Sequence, residues 1–412
     1  MTEPQLLGFS ISADGHYVCG TIEQGAGIFM ADAFTGVVKY NVDGDYSSEL
    51  RCADNNGNAI GFIDDDGILF SFETGDVTLL KAPSGYRYVL GEGLSNDGSV
   101  MVGELAAQSF DTMAAYSDAD GVWKKLPLPS DDETGYLKQY INNMSGAKFV
   151  SADGKVILGH LGSFSYPMVW TRNAAGEYVS DFFTARYLKA VEADRNDDSK
   201  PLFGITAMFT CMSHNGKYVG TIGAVANEDY TATRIVPVIY DTEEKTLKVY
   251  SEMQEIDYAE AGLFPRAIAD DGTFIGTIGQ PSTPEGNLGA FIMKAGQQQA
   301  EMFVDAFPVF AEKLGESDTL GQNIPTGISA DGNYILGYTY YSDDYDVMSD
   351  APAYFVTYVL NLSSSGVDQV ESADMGAPAA VYSVDGRSIG RMQKGLNIVR
   401  NADGSVSKIL KK

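Results

Sequence analysis

The chain lacks most of the features that would identify it quickly. Cysteine is scarce: Cys19, Cys52 and Cys211 cannot all pair within the chain and have no metal-ligand spacing. They read as small buried apolar residues, so neither a disulfide scaffold nor a thiolate metal site is expected. Histidine is limited to His16, His160 and His214, the first and last in or beside hairpin turns, which leaves no zinc cluster. Basic residues are outnumbered, 28 against 56 acidic, for a net charge of −28. That balance argues against nucleic acid or an anionic membrane as partner, since both would repel the chain. No apolar run approaches the ~18 residues of a membrane span. The opening Met1-Thr2-Glu3-Pro4 has neither a basic start nor an apolar signal core, so an export signal would have to lie outside this sequence. No G-x-S-x-G elbow of a serine hydrolase occurs.

What is present is size, apolar content and repetition. At 412 residues the chain exceeds the roughly 250–300 that one conventional core supports, which calls for domains or repeats. Apolar residues at 44 % and aromatics at 11 % exclude a disordered chain, and 45 glycines imply many tight turns. One phrase recurs: Ser, a spacer, Asp or Asn, Gly, a short run rich in Val, Ile and Tyr, then Gly. It reads SADGHYVCG at 12–20, DNNGNAIG at 54–61, SNDGSVMVG at 95–103 and SADGKVILG at 151–159. SHNGKYVG at 213–220, ADDGTFIG at 269–276 and SADGNYILG at 329–337 complete the set. The turn glycines Gly15, Gly57, Gly98, Gly154, Gly216, Gly272 and Gly332 are 42, 41, 56, 62, 56 and 60 residues apart. The unit is therefore constant, with loops of changing length.

Asp-Gly or Asn-Gly between two β-branched runs is a strong hairpin signal, here joining strands A and B. A third apolar run, a short turn and a fourth run follow in most units. Four antiparallel strands repeated radially describe a β-propeller, so the expected fold is all-β, a propeller of seven blades of four strands, with a small C-terminal β-hairpin tail. The seventh unit is irregular, because 354–362 runs on without a clear turn or a fourth strand. The phrase S-x-D-G-x-x-[IV]-x-G resembles the repeat of TolB-type, WD40-like propellers over roughly residues 6–362. Ala13, Ala152 and Ala330 stand where that family often has Pro. The resemblance speaks to fold and leaves function open, since propellers host binders, scaffolds and enzymes.

In a propeller, A–B and C–D turns lie on one face and B–C and D–A loops on the other. The first set is tight throughout. The second is long at 104–113, 160–167, 221–234, 277–288 and 338–352, and again at 127–146, 181–208 and 305–322. Long loops on a rigid scaffold concentrate function, which puts the candidate site on that face, although decorative insertion would look the same. Just after the phrase's last Gly, where strand B leaves toward that face, the aligned residues are Thr21, Phe62, Glu104, His160, Thr221, Thr277 and Tyr338. Glu104 and His160, on adjacent blades, depart from a Thr default. Three positions before the Ser, on strand A, stand Phe9, Arg51, Glu92, Lys148, Thr210, Arg266 and Thr326. Arg51, Glu92, Lys148 and Arg266 thus form a polar ring near the channel mouth, which either neutralises itself, Glu92 between Arg51 and Lys148, or binds a ligand. Tyr341, in the tyrosine-rich loop 340–346, offers a ring for stacking on sugars, though a solvated loop is the plainer reading.

No cofactor or metal is expected. Asp194-Arg195-Asn196-Asp197-Asp198 has the spacing of a calcium loop but lacks the following Gly, and Ile205 stands where the closing Glu belongs. Paired carboxylates from distant blades stay open as a glycosidase possibility. The expected domains are 1–366, the propeller, and 367–412, a linker and tail. Residues 375–412 carry seven basic and two acidic residues, a net of +5, leaving −33 on the other 374. Val381-Tyr382-Ser383-Val384-Asp385-Gly386-Arg387, Lys394-Gly395-Leu396-Asn397-Ile398-Val399 and the closing Lys408-Ile409-Leu410-Lys411-Lys412 resemble the type IX secretion sorting tails of Bacteroidota. Asn397 replaces a position that is commonly aromatic, and the segment is shorter than a full sorting domain. The resemblance implies an exported protein, at the cell surface, on the outer membrane or beyond. The first functional expectation is a non-catalytic propeller binding an extracellular glycan or protein. The alternatives are a polysaccharide lyase or hydrolase, using His160 with Tyr338 or Glu104 with Glu92 as acid and base, and an envelope scaffold.

Overall fold

A computed structural model of the chain describes residues 5–22, 26–41, 47–109, 111–142, 144–163, 165–189, 196–197, 199–226, 233–250, 262–279, 287–308, 323–342 and 353–362, with 380–383, 388–389, 395–400 and 406–411 toward the C-terminus. The chain divides into two compact units, Met1–Leu362 and Ser363–Lys412. The first is a seven-bladed β-propeller of antiparallel sheets, each built from consecutive strands. Strand A opens the blades at Leu6–Ile11, Ser48–Ala53, Tyr86–Leu94, Ser145–Val150, Gly204–Met212, Gly262–Ile268 and Asn323–Ile328. Six blades have four strands; among the described residues the seventh has three, ending with Ala353–Asn361, where the sequence also lacked a fourth run. In the second unit four short strands pair antiparallel: Ala380–Ser383 lies between Ser388–Ile389 and Gly395–Arg400, and the latter also pairs with Val406–Lys411.

The recurring phrase is a side-chain staple. In blade 4 the buried Ser151 hydroxyl donates to Asp153 Oδ1 at 2.8 Å and accepts the backbone N–H groups of Lys155 and Val156 at 3.0 and 2.9 Å. Asp153 Oδ1 also accepts from Lys155 N at 3.0 Å. The same geometry recurs at Ser12/Asp14, Ser95/Asp97, Ser213/Asn215 and Ser329/Asp331. Where Asp54 replaces the Ser, its carboxylate accepts from Asn56 N and Asn58 N directly. The Gly in the turn holds a positive φ, +70° at Gly154, that a side chain would resist. Ser151→Ala should therefore destabilise the protein by about 1–2 kcal/mol, because it leaves the part-buried Val156 N–H without its acceptor and takes from the Asp153 carboxylate the hydroxyl that donates to it. A denaturant midpoint equal to wild type would show that the hydroxyl does not hold the turn.

The turns are also bonded to one another around the ring. Asn96 N donates to Ala152 O, Ala152 N to His214 O, Asp270 N to Ala330 O and Ala330 N to Ala13 O. The last bond joins the seventh blade to the first. Thr357 Oγ1 reinforces that closure by donating to Leu6 O and accepting from Gly8 N, and Thr326 Oγ1 donates to Gly8 O. The apolar core lies between the faces of neighbouring blades, its largest cluster gathering Trp170, Phe182, Phe183 and Tyr240 with the aliphatic residues of the third to fifth blades. Trp170 buries its ring and gives its indole N–H to Pro127 O at 2.7 Å.

On the opposite face two expectations change. Parts of the spans read as loops 104–113, 221–234 and 338–352 are strand: Met101–Ala107 pairs with Thr112–Ser117, which leaves only 108–111 between them, Tyr218–Ala226 with Thr233–Asp241, and Tyr334–Ser342 with Ala353–Asn361, because residues of high β-propensity continue the ladder. The D–A connection 127–146 holds a short helix, Asp131–Thr134, with a Ser130/Glu133 capping box, and a 3-10 turn, Gly135–Tyr140. The connection from 181 holds Phe183–Tyr187, anchored by buried Phe183 and by Thr184 Oγ1 on Pro167 O. The Asp194–Asp198 motif falls largely outside the described residues.

Candidate functional site

Every inner strand breaks register at the same column, and Tyr86–Leu94 breaks a second time, at Arg87. In the first four blades the pairing skips Phe9, Arg51, Glu92 and Lys148; in the sixth and seventh it skips Arg266 and Thr326; in the fifth the irregularity spans 207–210 and includes Thr210. These are the residues of the strand-A ring. A β-bulge leaves its extra residue unpaired, bends the strand and re-aims the side chain, which is how one sequence column comes to address the axis. The bulge also accounts for the last Gly of the phrase. A Cβ on Gly20, Gly61, Gly103, Gly159 or Gly276 would strike the carbonyl oxygen of Leu7, Glu49, Leu90, Gly146 or Phe264 on the adjoining inner strand.

The residue after that Gly stands beside the bulged residues. Arg51 lies over the Phe62 ring, 5.1 Å from its centroid, and Arg266 Nε is 3.4 Å from Thr277 Oγ1. Arg51 also pairs with Glu92 at 3.2 Å and with Glu49 at 2.9 Å. The Thr default has a reason: Thr21 Oγ1 donates to carbonyl oxygens of Gly27 and Ser48, the latter on the next blade, and Thr221 Oγ1 bonds Thr206 O. Glu104 and His160 give up that role. Both abut Gly146, where a methyl group would collide with Glu104 Oε1 and with His160 Cε1. No hydrogen bond or ion pair joins the two among the described residues, and His160 Nδ1 is buried without a hydrogen-bond partner. Lys148 lies within electrostatic range of Glu92, Glu104 and His160 but makes no ion pair among the described residues.

The charges feel this enclosure. Burial, and then Glu92 nearby, push Glu104 up to about 7, with Lys148, the Thr112 hydroxyl and Arg51 only partly offsetting. Burial raises Glu92 as well, against the pull of Arg51 and Lys148. His160 is held down at about 4 by burial and by Lys148. Tyr338 is raised by burial against Arg266, and Arg266 is lowered by burial against Tyr338. Arg51, Glu92, Glu104, Lys148 and His160 thus act on one another across the second to fourth blades, and Arg266 and Tyr338 act on each other across the sixth and seventh. Tyr341 ends up in Tyr334–Ser342, paired with Tyr354, and its side chain lies outside the described residues. Among the described residues no three His, Cys, Asp or Glu gather as a metal ion would require.

Sequence reasoning missed Glu49, although it precedes Arg51 by two residues and so shares its face on a regular strand. It also missed the space on the axis. On the turn side of the bulges is a cavity of about 100 Å³ lined by Phe9, Arg51, Arg266 and Thr326 at one end and by Asn96, Ser213 and His214 toward the turns. His214 Nε2 spans to Ile328 O at 3.1 Å, from the fifth blade to the seventh. No spacing in the sequence reveals a volume.

No protein family's sequence profile and no curated protein matches this chain. Solved structures similar to it are β-propellers at low identity. The β-propeller domain of Cps50 (Swd1) from Myceliophteria thermophila is 12 % identical, with a TM-score of 0.40 over 65 % of this chain and 78 % of that one. TolB from Acinetobacter baumannii is 11 % identical, with a TM-score of 0.38 over 70 % of this chain and 63 % of that one. The extracellular domain of BT4673 from B. thetaiotaomicron is 11 % identical, with a TM-score of 0.45 over 100 % of this chain and 45 % of that one. This chain therefore spans less than two thirds of the latter two. The blades themselves, seven sheets of consecutive antiparallel strands, make it a β-propeller.

Proposed function

We propose that the chain is an exported, non-catalytic β-propeller that binds an extracellular glycan or protein through its long-loop face. The supporting observation is that Arg51, Glu92, Glu104, Lys148 and His160 act on one another across three blades while Arg51 and Arg266 line one cavity, with buried groups of unmet hydrogen-bonding capacity among them: His160 Nδ1 and Arg51 Nε. A scaffold requires no such arrangement, since buried polar atoms cost free energy unless a partner satisfies them. Export rests on the tail's resemblance to sorting tails, with 367–412 as the sorting-like segment. A glycan array and a pull-down from culture supernatant test the reading. Retention of one glycan class or one protein by wild type, weakened by Lys148→Ala, is expected; two blanks would count decisively against it.

One observation favours a second reading, a lyase or hydrolase. Glu104, held at about 7, has the pKa of an effective general acid, whereas His160 at about 4 is a weak base. That reading expects new reducing ends from some polysaccharide, abolished in Glu104→Gln. No release across a broad panel would end it.

A further inference from the structure

We propose that the axial cavity is a carboxylate site, and that the ligand is an acidic sugar whose carboxylate enters while its ring stays at the mouth. The inference rests on the binding reading above and narrows it. The lining contains two guanidinium side chains, Arg51 from the second blade and Arg266 from the sixth, and no Asp or Glu. In a chain of net charge −28 the lining itself holds two cations and no anion, Glu49 and Glu92 meeting Arg51 from outside it, and low-dielectric walls strengthen the field of those charges. Arg51 engages Glu49 and Glu92 through its terminal nitrogens, and its Nε–H makes no hydrogen bond but is covered, so an entering group reaches it only by displacing what covers it. A planar carboxylate is the partner that a guanidinium edge accepts best.

Size and surroundings then select the ligand. A volume of about 100 Å³ corresponds to about three waters at ~30 Å³ each, enough for a carboxylate and too little for a pyranose ring. Beside the two arginines stand Thr277 and Tyr338, next to Arg266, and Glu104, within the field of Arg51, a mixture of donors and acceptors suited to sugar hydroxyls, which both give and receive hydrogen bonds. A peptide C-terminus would have to bring its last side chain and amide to this same polar rim.

The test is calorimetric titration of the intact chain with glucuronate and galacturonate oligomers, the same oligomers with carboxyl groups reduced to alcohols, sodium acetate, and a tripeptide with a free C-terminus. The acidic oligomers should bind, and their reduced forms should bind at least about tenfold more weakly. Arg266→Gln should lose a comparable factor for the acidic oligomers and a clearly smaller one for the reduced oligomers. If Arg266→Gln fails to fold, Arg51→Gln and the wild-type comparison of acidic with reduced oligomers decide. Equal binding of reduced and acidic oligomers would overturn the carboxylate site while sparing glycan binding by the face. Acetate binding as tightly as the oligomers, the tripeptide binding more tightly than any of them, or silence from every probe would each overturn the acidic-sugar assignment.

Discussion

Gly159→Ala should destabilise this protein by about 2–4 kcal/mol, more than any other single glycine change in its blade. Gly159 does not have a positive φ, so its backbone angles tolerate a side chain. What it lacks is room, because an added methyl would meet the Gly146 carbonyl oxygen and, at 2.9 Å, the Ala147 Cα on the bulged inner strand. Backbone cannot rotate away as a flexible side chain does, so either the bulge or the ladder must shift. Two comparisons separate space from conformation. Gly176, at φ +83° with nothing within 4 Å, should cost only about 1 kcal/mol as Ala, the left-handed penalty alone. Gly154→Val combines φ +70° with contact to Val100 Cγ2 at 2.7 Å and should exceed ~1 kcal/mol with little change in binding. Denaturant melts that rank Gly159→Ala with Gly176→Ala would mean that the bulge on the inner strand is absent.

The second large effect is a pair of opposed pH dependences at the mouth. Glu104 ordinarily titrates near 4.5 and in the folded chain at about 7. Between those values the native state keeps a proton that the unfolded state has lost, so stability falls as pH rises through the window. His160 ordinarily titrates near 6.5 and when folded at about 4. There the unfolded state takes up a proton that the native state refuses, so stability falls as pH drops through that window. Glu104→Gln should thus gain on the order of 1–3 kcal/mol over wild type at pH 8 and nothing near pH 4. His160→Gln should gain at pH 4 and not at pH 8. The Thr substitutions add a second axis: with no bond between the partners, Glu104→Thr and His160→Thr should act independently on melting and both weaken ligand binding. A large melting loss in either single variant, recovered in the double, would instead mark a buried structural pair and remove both from the site.

The turn glycines and the Ser/Asp staple were legible because they are local: Ser151, Asp153 and Gly154 satisfy each other within six residues. The polar ring was legible as a column, since seven repeats of one unit align themselves. The bulge that aims this column was not legible, because a bulge is defined by pairing between strands and flips the expected alternation. The reach of the strands into 221–226 and 338–342 was hidden for the same reason: extended polar-apolar sequence reads as loop until a partner strand lies beside it.

By itself, then, the sequence determined the repeat, the all-β class, the blade count, the tight-turn face and the identities of Arg51, Glu92, Glu104, Lys148, His160, Arg266 and Tyr338. Each follows from short-range chemistry copied seven times. Tertiary structure decided what those residues do to one another. It set Arg51 on Glu49 and Glu92, brought Glu104 and His160 together across Gly146, pushed their proton affinities apart, and enclosed a cavity bearing two arginines and no acid. Those outcomes depend on burial and on distances between blades. Both come into being only when the ring closes on Thr357 and Ala330, hundreds of residues along the chain from the strand they meet.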